Sequence, residues 1–195
     1  MTTAIDAMLA DISRCAVCAA HLPHGPRPVL QAGRDARIVI IGQAPGSKVH
    51  DSGIPWQDQS GDRLRDWTGL DGATFYNPSR VALIPMGFCY PGTANGADLS
   101  PRPECAPLWH ARLLSEVPRV RLTLLVGIHA QGYYLGDSSS PTMTETVRAY
   151  AASGSARFPL PHPSWRSMGW MRRNPWFEAV VLPALRRRVA VALET

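Results

Sequence analysis

The most constraining feature of the sequence is the stretch Arg37–Gly46, which reads Arg-Ile-Val-Ile-Ile-Gly-Gln-Ala-Pro-Gly. Four consecutive apolar residues, Ile38 to Ile41, predict a strand buried on both faces, which is typical of a parallel sheet in an α/β protein. Gly42 and Gly46 permit close backbone approach, and Pro45 stiffens the turn between them. The strand is therefore expected to end in a loop that presents backbone N–H groups at the carboxyl edge of the sheet, where open α/β folds bind ligands.

The motif alone is also compatible with an ordinary strand-to-loop turn. No Gly-Lys-Ser/Thr follows it, as a P-loop would require, and it lacks the Gly-x-Gly-x-x-Gly pattern of dinucleotide-binding proteins. Other motifs in the sequence are therefore needed to distinguish an ordinary turn from a binding site.

Length and charge restrict the class of protein. The 195 residues are expected to form a single domain, 1–195. All basic residues except Lys48 are arginines and the formal charge is +5, which favours phosphate recognition but also fits a solvated surface. We find no apolar run long enough to span a bilayer and no signal peptide, so we expect a cytoplasmic protein without a membrane partner. Nothing in the sequence demands more than a monomer.

Apolar patterns along the chain predict alternating strands and helices. Strands are expected at 38–41, 81–84, 122–126 and 158–160, and helices at 3–14, 103–114, 130–135, 143–151 and 174–193. A further helix, capped by Ser60, is expected to bury Trp67, and the residues before it, 47–59, are expected to form a loop. This order predicts a three-layer α/β/α sandwich around a short, mainly parallel sheet. The exits of the first and last strands, Gly42–Gly46 and His162–Ser164, are expected to face each other across its carboxyl edge.

The four cysteines suggest a metal centre. Cys15 and Cys18 form a close pair, whereas Cys89 and Cys105 are separated by fifteen residues. Four cysteines with one close pair favour metal ligation over disulfides in a cytosolic chain. The wide second pair argues against a zinc ribbon without excluding zinc. A [4Fe-4S] cluster fits well, since it needs four thiolates, and it would tie the first helix to two distant loops. The alternative is four unrelated buried thiols.

The motifs in this order resemble the uracil-DNA glycosylase superfamily, specifically its iron–sulfur branch. The resemblance rests on the Cys-x2-Cys pair, the Gly-Gln-Ala-Pro-Gly turn, the two later cysteines and the segment His162-Pro-Ser164. It covers residues 15 to about 177. It implies hydrolysis of the bond that joins uracil to deoxyribose in DNA, which leaves an abasic site. It also implies that the base is flipped into a pocket before the bond breaks.

The resemblance also implies roles for individual residues. Backbone donors to the uracil and to a water molecule would come from the turn Gly42, Gln43, Ala44, Pro45 and Gly46. His162 would donate to the uracil oxygen that gains charge, Ser164 would hold a DNA phosphate, Trp56 would stack on the flipped base, and Asp58 would orient the attacking water. The alternatives are a loop histidine held by a carbonyl, a turn serine, a core tryptophan and an exposed carboxylate, whereas Asp62 is interpreted as stabilising a helix N-terminus.

The chain departs from the family pattern at three positions. Ala44 replaces the acidic residue that some branches carry in the turn, which leaves Asp58 as the candidate to help the water. Pro85 replaces the asparagine that other branches use to read the edge of uracil; the backbone around Met86 and Gly87, or Asn77, could substitute. Arg166 replaces an apolar wedge and could enter the minor groove or fill the gap left by the flipped base.

Three functional hypotheses follow. The first is a monofunctional glycosylase that acts on uracil or another deaminated base in DNA. The second is a protein that binds damaged or abasic DNA with little or no excision, which the loss of the acid at Ala44 permits. The third is a relative that crosslinks covalently to uracil-containing DNA; no basic loop bearing a histidine nucleophile is evident for it, although His50 and His129 have no assigned role.

Overall fold

The computed structural model describes residues 3–151 and 153–194. The strands are β1 (Ile38–Ile41), β2 (Val81–Leu83), β3 (Thr93–Ala94), β4 (Ala97–Asp98), β5 (Leu122–Val126) and β6 (Arg157–Leu160). The helices are α1 (Ala4–Ser13), α2 (Ser47–Ser52), α3 (Gln59–Thr68), α4 (Gly72–Phe75), α5 (Cys105–Ser115), α6 (Ile128–Leu135), α7 (Met143–Ala151), α8 (Ser167–Arg173) and α9 (Leu182–Leu193). Short 3-10 turns occupy Ala19–His21 and Gly136–Ser138, and a π-helical turn, Phe177–Val181, leads directly into α9.

The central sheet has four strands in the order β2-β1-β5-β6, and all three pairings are parallel. Register is continuous across the middle of the sheet, with Ile40 beside both Leu83 and Leu124. The parallel α/β architecture predicted from the sequence is therefore confirmed. Because all four strands run the same way, their carboxyl ends meet at one edge.

Helices cover both faces of the sheet and bury a separate core on each. Ile38 and Ile40 point into one core with α3, α7 and α9, and Val39 and Ile41 point into the other with α1, α5 and α6. All four residues of β1 are fully buried, as a strand with helices on both faces requires. The three layers of the predicted sandwich are thus present.

Three local predictions were wrong. Residues 47–52 form α2 rather than a loop; the segment contains one buried apolar residue, Val49, and so has little helical periodicity. The cap of α3 is Asp58 and not Ser60, since the Asp58 carboxylate accepts the N–H of Gly61 at 2.8 Å. The last predicted helix, 174–193, begins with the π-helical turn Phe177–Val181 and continues as an α-helix only over Leu182–Leu193. The π turn precedes Pro183, which cannot donate in a helix interior and whose ring would clash with the carbonyl four residues earlier.

A small β-hairpin, β3–β4, projects from the segment between Cys89 and Cys105. Its strands pair only with each other, through Thr93–Asp98 and Ala94–Ala97. The tip residues Asn95 and Gly96 both have positive φ angles, of 52° and 73°, as a tight hairpin turn requires. Among the helices of the described residues, none has the length and apolar character needed to cross a membrane.

Candidate active site

A cavity of about 390 Å³ lies at the carboxyl edge of the sheet. It is lined by the whole β1 exit, Gly42, Gln43, Ala44, Pro45 and Gly46. It is also lined by the other five side chains selected from the sequence, Trp56, Asp58, His162, Ser164 and Arg166. The β1 and β6 exits thus border one cavity although β5 separates their strands. The structure brings every predicted substrate- and DNA-binding position together, while their roles remain predictions.

The turn after β1 is held in place by hydrogen bonds that its carbonyl groups accept from neighbouring segments. The carbonyls of Gly42 and Gln43 accept the N–H groups of Met86 and Gly87, each at 3.0 Å, and the carbonyl of Gly46 accepts from His50 at 2.9 Å. Within the described residues, the N–H groups of Gln43, Ala44 and Gly46 have no hydrogen-bond acceptor. These three N–H groups are therefore available as hydrogen-bond donors, while their use by a ligand stays a prediction.

Trp56 is held in an unusual backbone conformation beside this turn. Its φ angle is 58°, in the left-handed region that costs a non-glycine residue roughly 1–2 kcal/mol. Its carbonyl accepts from Tyr76 Oη at 3.2 Å and from Arg65 Nη1 at 3.4 Å. A Cβ atom on Gly61 would lie 1.7 Å from this carbonyl oxygen, and a Cβ atom on Gly42 would lie 2.6 Å from Trp56 Cζ2. Both glycines are thus required for the placement of the indole ring.

Asp58 combines a structural position with a place in the cavity. One carboxylate oxygen, Oδ1, caps α3, so the side chain is oriented by the first turn of the helix. The carboxylate also lies close enough to His162 to affect the pKa of that ring. Asp58 is partly buried and caps a helix, so it is not the exposed carboxylate of the alternative, although capping alone does not establish chemistry.

His162 follows β6 and is mostly enclosed. Burial lowers the pKa of its imidazole below the ordinary value, and the Asp58 carboxylate partly opposes this effect. The ring is therefore neutral near pH 7 and carries one N–H. It lies 5.8 Å from the Trp56 ring, centroid to centroid, with an interplanar angle of 29°. The carbonyls of the segment are also held: that of His162 accepts from Ser167 Oγ, and that of Pro163 accepts from Arg63 Nη1 at 2.6 Å.

The expected substitutes for the missing asparagine are not available. The N–H groups of Met86 and Gly87 are bonded to the turn, and the Asn77 side chain accepts the N–H of Ser79 and does not line the cavity. The Pro85 carbonyl pairs with His110 Nε2 at 3.0 Å. Gln43 is the cavity residue whose side chain carries both an amide donor and an acceptor.

His110 fixes the Pro85 segment from below. A carbonyl can only accept, so Nε2 of His110 donates to Pro85 and Nδ1 accepts from Tyr134 Oη at 2.6 Å. The side chain is 1 % exposed, and burial lowers its pKa to about 4, with the bond to Pro85 opposing the shift. A neutral histidine thus supports one wall of the cavity, and no motif or spacing in the sequence pointed to this residue.

The rim of the cavity contains two further residues that the sequence analysis missed. Asp98, at the end of the hairpin, lines the cavity, and burial raises the pKa of its carboxyl while Arg166 lowers it. Trp165 is 71 % exposed, and the Arg166 guanidinium lies 5.2 Å from the centre of its ring. The available sequence signal was a tryptophan directly after His-Pro-Ser; its exposure, which is unusual for a large aromatic side chain, is visible only in the folded chain.

The four cysteines line a second cavity, on the side of α1 and α5. Within the described residues, no three His, Cys, Asp or Glu side chains are close enough to hold a single metal ion. Burial raises the pKa of the Cys105 thiol to about 12, and the other three cysteines add to this shift. The N–H of Phe88 donates to Cys105 Sγ at 3.4 Å. The structure therefore gathers the thiols around one space without forming a mononuclear site.

The two unassigned histidines lie elsewhere. His50 packs against the rings of His24 and Tyr90, each at 5.8 Å between centroids. His129 stands at the start of α6, where burial lowers its pKa. Neither is among the residues that line the first cavity.

A comparison with known protein families identifies a related superfamily. The model of the Uracil DNA glycosylase superfamily matches residues 30–186. The matched range includes every residue that lines the first cavity except Val29, together with Cys89 and Cys105.

Proposed function

The chain belongs to the uracil DNA glycosylase superfamily, and because this membership indicates a DNA glycosylase, we propose that the protein hydrolyses the N-glycosidic bond of uracil in DNA. The observation that carries the proposal is the convergence of an indole ring, a neutral histidine, a carboxylate and unpaired backbone N–H groups on one cavity. These are the groups that departure of an anionic base requires.

The chemistry assigns a task to each group. As the glycosidic bond breaks, its electron pair leaves with the uracil and the sugar becomes cation-like. The N–H of His162 and the amides of the β1 turn stabilise the departing base, and Trp56 stacks on it. Asp58 orients the water that attacks the sugar carbon and faces the positive charge that develops there. The water oxygen bonds to the sugar carbon and one proton of the water passes to solvent, while the uracil anion takes up a proton from solvent and leaves as neutral uracil.

Contacts to DNA are assigned to the rim. Ser164 binds a phosphate, as hydroxyl groups commonly do. The sequence allowed Arg166 either to enter the minor groove or to fill the gap left by the flipped base. In the structure Trp165 and Arg166 both line the cavity, and both side chains are exposed. We assign Trp165 as the wedge that fills the gap left by the flipped base, since an aromatic ring can stack in that space. We assign Arg166 to a contact with the phosphate backbone of the DNA.

We propose that Cys15, Cys18, Cys89 and Cys105 hold a [4Fe-4S] cluster. A cubane distributes its four thiolates over separate irons, so the ligands surround a space rather than converge on one ion, which agrees with the shared cavity. The Phe88 N–H at Cys105 is the kind of hydrogen bond that tunes cluster sulfurs. Bound there, the cluster acts as a cross-link between α1, the hairpin segment and α5.

The test is excision from labelled single- and double-stranded DNA that contains one uracil, followed by alkali cleavage and a denaturing gel. We expect His162→Ala to lower the rate by about 10²–10³-fold. Asp58→Asn preserves the helix cap, because asparagine caps as well as aspartate, and we expect it to lower the rate by roughly 10²-fold or more. His21→Ala, on an exposed histidine outside the cavity, is the matched control and should leave the rate unchanged.

The same gel separates the alternatives. No cleavage of uracil, hypoxanthine or xanthine DNA by folded, iron-loaded protein would reject the glycosylase. Tight binding to abasic DNA under those conditions would support a binding protein without excision.

A further inference from the structure

The two loops that carry Trp56 and His162 are both attached to α3. Arg65, on this helix, donates to the Trp56 carbonyl at 3.4 Å. Arg63, two residues earlier, donates through Nη1 to the carbonyl of Pro163 at 2.6 Å, across one hundred positions of sequence. Pro163 is buried, so its carbonyl depends on a protein donor.

The other hydrogen bonds of the His162 segment are local. Ser167 donates through Oγ to the His162 carbonyl and through N–H to the Ser164 carbonyl, the latter at 3.0 Å. These bonds fix the shape of the segment but not its place in the molecule. In the described chain, Arg63 makes the only hydrogen bond that reaches residues 161–167 from another element.

We propose that Arg63 is a positioning residue that sets the distance between the His162 imidazole and the groups at the start of α3. The inference rests on the proposed function, since it concerns the same reaction. It follows from the connectivity, because α3 is capped by Asp58 and carries Gly61, against which the Trp56 carbonyl rests. One short helix thus fixes the ring that stacks on the base, the carboxylate that orients water and the histidine that stabilises the leaving group.

The effect is expected in the chemical step rather than in DNA affinity. A displacement of about 1 Å of a catalytic group can cost roughly 10²-fold in rate. We expect Arg63→Met, which keeps the length and apolar stem of the side chain, to lower the single-turnover excision rate at saturating DNA by about 10²-fold. The DNA concentration for half-maximal rate should remain within threefold of wild type. Arg63→Lys keeps one donor and should recover most of the lost rate.

The matched control is Arg186→Met. Arg186 also donates to a carbonyl of α3, that of Asp66 at 3.0 Å, but at the far end of the helix. The single-turnover excision rate of Arg186→Met should stay within twofold of the wild-type rate. An Arg63→Met protein that retains the wild-type rate at saturation would overturn the proposal. So would a loss of DNA affinity alone together with a shallower dependence of binding on salt concentration, which would identify Arg63 as a phosphate contact.

A readout independent of catalysis separates this proposal from the proposed function. Hydrogen exchange of the backbone amides at 164–168 should be at least tenfold faster in Arg63→Met than in wild type or Arg186→Met. Unchanged exchange would overturn the proposal even if the wild-type protein excises uracil. Faster exchange would support it even if the wild-type protein excises no base, in which case the proposed function alone fails.

Discussion

Replacement of Gly61 by alanine tests whether the backbone of Trp56 sets the activity. The new Cβ would lie 1.7 Å from the Trp56 carbonyl oxygen and 2.6 Å from its carbonyl carbon. Relief to 3.0 Å, the shortest separation that real Cβ atoms show, needs a displacement of about 1.3 Å. The carbonyl cannot retreat freely, because Tyr76 and Arg65 hold it.

The expected magnitudes follow from this displacement. Overpacking costs about 1–3 kcal/mol, and the helical preference of alanine over glycine returns roughly 0.5–1 kcal/mol. The difference leaves a net loss of about 0–2.5 kcal/mol, which lowers the Tm by up to roughly 10 °C in a chain of this length. A shift of the indole ring by about 1 Å should lower the excision rate by about 10²-fold, well beyond what the small loss of stability explains.

Gly132→Ala is the matched control for this prediction. Gly132 lies inside α6 and a Cβ there would meet nothing within 4 Å. Alanine should raise the Tm slightly and leave excision unchanged. Thermal unfolding and single-turnover excision on both variants measure the two effects separately. Wild-type excision by a folded Gly61→Ala protein would refute the argument that the Trp56 backbone determines activity.

Three further changes have defined outcomes. Folding lowers the pKa of His110 from 6.5 to about 4, so the unfolded chain takes up the proton first as the pH drops. The free energy of unfolding is therefore unaffected by this group above pH 6.5 and decreases by about 3 kcal/mol as the pH falls to 4. Chemical denaturation should therefore find that the stability of wild type relative to His110→Gln decreases by about that amount between pH 7 and pH 4; a constant difference would contradict the buried neutral histidine. Cys105→Ser should lower the iron content and visible absorption of anaerobically purified protein and reduce its Tm, whereas unchanged iron would reject this ligand. Trp165→Ala should weaken binding to uracil-containing duplex by about 1–3 kcal/mol, measured by fluorescence anisotropy, and equal affinity would remove Trp165 as the wedge.

The sheet could be predicted from the sequence because its central strands are mostly apolar. β1 and β5 begin and end at the predicted residues, 38–41 and 122–126; β1 is entirely apolar, and Thr123 is the one polar residue of β5. α2 and α8 could not be predicted in the same way. Both helices are short and lack an apolar stripe. The formation of α2 depends on the turn that precedes it, and that of α8 depends on the His162 segment.

The members of the candidate site could be selected from the sequence, but not their supports. Gly42 and His162 belong to motifs that follow strands, and strand ends of a parallel sheet share one edge. The contacts of Arg63 and His110 are formed over long separations in sequence, and Asp98 reaches the cavity only because a hairpin places it there. Such contacts leave no periodic pattern and become visible only when the chain is folded.

The hairpin between Cys89 and Cys105 is a part of the molecule that can vary independently. Because β3 and β4 pair only with each other, a change of length at Asn95 and Gly96 cannot shift the register of the central sheet. Residues 96–99 nevertheless line the cavity. Insertions at this exposed tip would therefore reshape the entrance for a nucleobase at little cost to folding, which makes the hairpin a natural place for new base preferences to evolve or to be engineered.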